Sequence, residues 1–185
     1  MKLKKFNYKN VNSTNDVAIR KIKKGFNSGI VVSERQKRGR GRYGKKWISL
    51  KGNLLLSIFF EIKKNLSIQE LTKNNCLSLK KIMSKYLKQK ITIKLPNDLL
   101  VEGKKLSGIL QERIYYNDKK FIIIGIGINI IRNPFIKNYP TTNLFELTGK
   151  KISKSNIFSK IKKNYEKKIN KIDLRQQNQI IINGN

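Results

Sequence analysis

Histidine is absent from this chain, cysteine occurs once, and only 11 residues are acidic against 42 lysines and arginines. Each scarcity removes a class of chemistry. Without histidine there is no Ser-His-Asp triad and no Cys-His pair, and a structural zinc site lacks its ligands, so no metal site is expected from the protein's own side chains. The lone thiol, Cys76, cannot close an intramolecular disulfide, which fits a reducing compartment. It lies in NNCLSLKKIM, a helical-looking pattern, and reads as a small core residue rather than a nucleophile. The longest apolar run, FIIIGIGINII at 121–131, is too short to span a bilayer. The amino terminus, MKLKKFNYKN, has no apolar stretch of the kind a signal peptide needs. A cytoplasmic protein without membrane association is expected.

What is present is a chain of 185 residues, 38% hydrophobic, long enough for one domain over 1–185 with a real core. A formal charge of +31 makes polyanions plausible partners, although the lysines spread from Lys2 to Lys171 and mostly fill a solvated surface. The arginines behave differently. Of eight, four fall within Arg35–Arg42. A guanidinium binds carboxylate or phosphate with a planar fork where lysine offers a point charge, so this clustering points to a defined anion site.

Ser13 with Asp16 three residues on resembles a capping box, starting a helix over NDVAIRKIKK that Gly25 ends. GIVVSER (29–35) and NLLLSIFFEI (53–62) read as strands, joined by the loop QKRGRGRYGKKW (36–47). Helical spacing of Leu79, Ile82, Met83, Tyr86 and Leu87 predicts a helix within 68–89. Then ITIKLPNDLLV, LSGILQERIYY and KKFIIIGIGINI, separated by EGKK and ND, predict an antiparallel meander. Ile157, Ile161, Tyr165, Ile169 and Ile172 predict a last helix before the polar tail QQNQIIINGN. The expected class is α+β, a mostly antiparallel sheet with helices on one face.

Four segments carry residue types that a core does not need. Gly39, Gly41 and Gly44 let the basic loop approach and fold over an anion. Asp98 and Lys105 fall on strands paired across a hairpin. Gly125 and Gly127 weaken a strand interior, which points to a closely approaching group or a bulge. The Ser13-Thr14-Asn15 corner is a helix start or a polar contact site.

Together these segments resemble the biotin protein ligases. GRGRYGKKW, after Gln36, is similar to that family's adenylate-binding loop GRGRxGRxW; KLPNDLLVEGKKLSGIL is similar to KWPND…KxxGIL; SerThrAsn and GIGIN match STN and GxGIN, in order over residues 12–131. The resemblance implies a biotin-lipoate ligase catalytic domain of the class II aminoacyl-tRNA synthetase-like kind. It also implies a reaction in which biotin's carboxylate attacks the α-phosphate of ATP, supplied with Mg2+. Pyrophosphate leaves, and a lysine of a biotin carboxyl carrier protein, such as that of acetyl-CoA carboxylase, then attacks biotinyl-5′-AMP.

Carried over by motif position, Arg40, Arg42 and Lys105 would grip the carboxylate and α-phosphate, with Asp98 orienting or deprotonating the acceptor lysine. Ser13, Thr14, Asn15, Gln36 and Gly39 would contact biotin, with Gly108, Leu110, Gly125 and Gly127 lining the slot for its ring. Asn97, Trp47 and Asn129 would join Arg42 at the nucleotide.

Two substitutions depart from the pattern: Leu95 stands where the family has tryptophan, and Lys45 replaces the loop's last arginine. No helix-turn-helix precedes residue 13 and no SH3-like domain is expected after the last helix, so specific DNA binding is not expected; pairing of two copies through an edge strand stays open. The rivals are a lipoate or octanoate ligase of the same fold and a basic nucleic-acid-binding module.

Overall fold

A computed structural model describes residues 2–63 and 67–182, with the side chains of 172–182 left aside. Its centre is a seven-stranded sheet of β1 (Lys5–Val11), β2 (Ser28–Gln36), β3 (Leu54–Ile62), β4 (Ile91–Lys94), β5 (Asp98–Val101), β6 (Lys104–Tyr116) and β7 (Lys119–Ile128), in the order β1-β2-β3-β7-β6-β5-β4. All pairs are antiparallel except β1 with β2. The helices are α1 (Thr14–Lys23), α2 (Ile68–Met83), α3 (Leu144–Thr148) and α4 (Lys154–Ile182).

The α+β class and the mostly antiparallel sheet agree with expectation, but helices cover both faces. Strand side chains alternate, so β3 sends Leu56, Ile58 and Phe60 into a core with Cys76, Leu79 and Met83 of α2 and Ile157, Ile161 and Tyr165 of α4. Phe59 points the other way, joining Phe121 and Ile123 of β7 against Val17, Ala18 and Ile22 of α1. Phe59 is fully buried, and truncating such a ring to alanine costs about 3–5 kcal/mol.

Local chemistry explains most boundaries. Gly25 (φ +85°) lets the chain turn back at the end of α1, with Phe26 N donating to Lys21 O. Both hairpin turns of the meander use two left-handed residues, Glu102-Gly103 and Asn117-Asp118, the geometry that matches strand twist. The expected first strand of the meander is split: β4 and β5 flank Leu95-Pro96-Asn97. α2 stops at Met83, so Tyr86 and Leu87 pack from beyond its end. β1 was not foreseen, because its Phe6 and Tyr8 are interleaved with lysines and asparagines. α4 runs on to Ile182 through most of the stretch read as a polar tail; Ile172's side chain and residues 183–185 lie outside the described residues. No described helix is long and apolar enough to cross a membrane.

Candidate active site

The α1 face of the sheet is core at one end and site at the other. Moving along β3 from Phe59, the next residue on that face is Ser57, which pairs with Gly125 of β7. Gly125 in turn faces Leu110 of β6, and Gly127 faces Gly108. Small residues therefore replace large ones over one patch, leaving a floor where other groups approach the backbone closely.

The Ser13-Thr14-Asn15 corner hangs over this floor. Ser13 is the N-cap of α1 but makes no side-chain cap bond, and Asp16 turns to Arg40, so the expected capping box does not form. The hydroxyl and backbone N–H of Thr14 both donate to Gln36 Oε1, at 2.9 and 2.8 Å. Ser57 Oγ lies within hydrogen-bond reach of Thr14 Oγ1 and Asn15 Oδ1, and Asn15 Nδ2 donates to Glu112 Oε2 at 2.6 Å. Asn15 thereby lies directly on Gly125, where a Cβ would meet its amide. A close approach, not a bulge, explains that glycine.

The basic loop is a small hairpin. Trp47 N donates to Gly39 O and Gly41 N to Lys45 O, while Tyr43 (φ +52°) and Gly44 (φ +71°) make the tip. Gly39 packs against the Trp47 backbone and Gln36. Arg40 Nη2 sits 2.9 Å from both Asp16 Oδ1 and Glu112 Oε2. Arg42 is not brought to the cleft: it donates to its neighbour Tyr43's hydroxyl at 3.0 Å.

Trp47 departs most from expectation. Its indole lies on Gly108 and Gly127, so that a Cβ at Gly127 would collide with the ring. Its Nε1–H is buried without a partner among the described residues, an arrangement that costs about 1–3 kcal/mol. The ring thus fills the slot assigned to biotin instead of standing at the nucleotide, and about 40 Å³ of room remains between Ser13, Thr14, Asn15, Arg40 and the glycine floor. The bare glycines offer apolar burial, and the indole is the large flat group within reach.

Asp98 and Lys105 do meet, Nζ to Oδ2 at 2.9 Å with both side chains largely buried. Tyr139 donates to the same Oδ2 at 2.7 Å, and burial together with that carboxylate pushes its phenol well above the ordinary tyrosine range. Lys105 Nζ also stands 5.4 Å from the Trp47 ring, linking this cluster to the slot. Asn97 and Asn129, expected at the nucleotide, are committed elsewhere. Asn97 Nδ2 donates to Ile109 O, pinning the turn before β5. Asn129 is buried, donating to Thr142 O and accepting from Asn53.

Glu112, Ser57 and Tyr139 were not singled out from sequence, and Asp16 was read as a helix-capping residue and not as a partner of Arg40. Glu112 lies in a polar stretch between Gln111 and Arg113, Ser57 interrupts an apolar run, and neither carries a motif of its own, so only register brings them to the site. Cys76 stays out of the cleft, as expected. Burial, and then the nearby Asp98 charge, push its thiol to about 11, so it is protonated at neutral pH. Among the described residues no group of three His, Cys, Asp or Glu side chains converges.

A family model, the Biotin/lipoate A/B protein ligase family, matches residues 8–129. The chain is 31% identical over 150 residues to the Bifunctional ligase/repressor BirA of Bacillus subtilis, covering 75% of this chain and 45% of that protein. It is 33% identical over 123 residues to the protein of the same name from Escherichia coli, covering 65% of this chain and 38% of that one. The chain thus spans less than half the length of these curated relatives. A solved structure titled Biotin protein ligase from Aquifex aeolicus in complex with biotin and ATP superposes with a TM-score of 0.76 at 29% identity, covering 91% of this chain and 71% of that one. With a match over these residues and this fold, the chain belongs to the biotin/lipoate A/B protein ligase family.

Proposed function

We propose that this protein activates biotin with ATP to biotinyl-5′-AMP and transfers the biotinyl group to a lysine of a biotin carboxyl carrier domain. The observation that carries the reading is the convergence on one glycine floor of a polar corner, an arginine hairpin and a buried lysine. Each suits a different part of the chemistry. Thr14, Asn15, Gln36 and Ser57 form a hydrogen-bonding set for the ureido end of biotin, and Gly108, Gly125 and Gly127 leave room for its fused bicyclic ring. Arg40 and Lys105 bring positive charge from opposite sides of the slot. Two anions must meet for adenylation, and charge then builds on the α-phosphoryl oxygens, where preplaced cations lower the barrier.

Binding requires the Trp47 indole to leave the slot, which turns the hairpin towards the nucleotide and gives Nε1–H a chance of a partner. Arg40 exchanges Asp16 and Glu112 for ligand oxygens, and Arg42 swings in from Tyr43. Asn97 and Asn129 act by holding backbone rather than by touching nucleotide. Mg2+ arrives with ATP, bound to its phosphate oxygens. The relatives' names favour biotin over lipoate.

The test is exchange of labelled pyrophosphate into ATP. Exchange that depends on biotin is expected; exchange that depends on lipoate and not on biotin would overturn the assignment.

A further inference from the structure

Asp98 is held asymmetrically. Its Oδ2 takes both Lys105 Nζ at 2.9 Å and the Tyr139 hydroxyl at 2.7 Å, whereas Oδ1 is buried with no hydrogen-bond partner among the described residues. Oδ1 lies on the slot side: together with Trp47 Cζ3 and Lys105 Cε it comes within 3.0–3.2 Å of the point a Gly108 Cβ would occupy. A buried carboxylate oxygen left bare is costly, and one aimed at the floor of a binding slot is placed to accept a proton.

Tyr139 reaches Oδ2 because the backbone around it is fixed to β6. A register shift at Leu99/Leu100 leaves Lys105 and Ser107 opposite consecutive residues of β5. On its other side, beyond the Ser107–Ile128 pair that ends the β6–β7 ladder, Lys105 bridges to Thr141: its N–H donates to Pro140 O and its carbonyl accepts from Thr142 N. A turn closed by Tyr139 N to Ile136 O, with Asn138 left-handed (φ +65°), then sets the phenol against Asp98. Lys94 and Lys105 lie 4.4 and 5.5 Å from its ring, completing a cationic surround.

We infer that Tyr139 is a positioning residue for the second half-reaction, saturating Asp98 Oδ2 so that Oδ1 faces the slot as the base for the acceptor lysine. The inference rests on the biotin reading above. In the step it serves, Oδ1 takes one proton from the acceptor ammonium. The amine lone pair then forms a C–N bond to the mixed-anhydride carbonyl, and the C–O bond to phosphate breaks with AMP keeping the pair. The second N–H proton passes to solvent as the amide forms. Adenylation does not need Oδ1, and Lys105 keeps its pairing to Oδ2 without the phenol.

The experiment compares the parent, Tyr139→Phe, Asp98→Asn and the double variant in single-turnover transfer from preformed biotinyl-5′-AMP to a purified biotin carboxyl carrier domain, with pyrophosphate exchange measured on the same preparations. Tyr139→Phe is expected to slow transfer about tenfold or more, on the scale of misplacing a general base, with half-saturating carrier concentration unchanged and exchange within about twofold. In the Asp98→Asn background it should cost nothing further, because one residue acts through the other. Unchanged transfer, a loss that multiplies with Asp98→Asn, or an equal fall in exchange would each overturn the role. Failure of the parent to exchange with biotin would instead overturn the biotin reading, which separates the two.

Discussion

Arg40 and Arg42 sit on a hairpin whose contacts are borrowed: Arg40 is held by two acids at the surface, Arg42 by the tyrosine beside it, and Trp47 by a slot in which its N–H is unpaired. Lys105 sits in the opposite condition, its ammonium paired to a buried carboxylate and its backbone bonded on both sides to the 140–142 segment. Both regions are cationic and both face the same glycine floor. One is a preformed half-site and the other must rearrange around its ligand. Exposed ion pairs such as those of Arg40 are worth about 0.2–1 kcal/mol each, which suits contacts that have to be exchanged during a catalytic cycle.

This contrast is broken most severely by removing the fixed cation. Lys105→Ala should lower biotin-dependent exchange by about 10²-fold or more, the scale of losing one charge-stabilising donor, with the fold intact by circular dichroism. Arg42→Ala should match it even though Arg42 lies away from the cleft here, because the hairpin delivers it; exchange within about twofold of the parent in Arg42→Ala would mean the hairpin does not turn in.

A smaller effect is expected at the floor. Gly127→Val places a branched side chain where the indole rests, and overpacking of about 1–3 kcal/mol should weaken biotin binding by about 5- to 150-fold. Trp47 is the chain's only tryptophan, so its emission reports the slot directly. Addition of biotin and ATP should change the parent's emission, and an unchanged spectrum at saturating ligand would contradict displacement of the indole. The smallest effect belongs to the borrowed contacts: Asp16→Asn removes one of Arg40's two partners and should change the biotin KM by about fivefold at most, in the direction of tighter binding, readable by titrating exchange against biotin.

The two regions were also unequally legible in the sequence. That Asp98 and Lys105 share a hairpin could be anticipated from the tight turn between their strands, but their meeting could not be read from register alone, because a shift at Leu99/Leu100 sets Asp98 opposite Gly108 and Lys105 opposite Leu100. The hairpin's charges and glycines were plain, but the resting place of Trp47 was not, since it depends on bare glycines from β6 and β7 lying side by side. Tyr139 was invisible for a related reason: it comes from an irregular segment whose position is set by backbone bonds to Lys105, far away in sequence. For the fold, the long, near-continuous apolar runs of β3 and β7 were clear, whereas β1 hid behind lysines and α1's placement on the opposite face could not be told from its own periodicity.

The account's central claim is that these parts carry a biotinyl group onto a carrier lysine. Its most direct test is the intact mass of a purified biotin carboxyl carrier domain after incubation with the protein, biotin and MgATP. A gain of one biotinyl group, lost when the acceptor lysine is replaced by alanine, is predicted; an unchanged mass under conditions where a known biotin ligase modifies the same domain would contradict it.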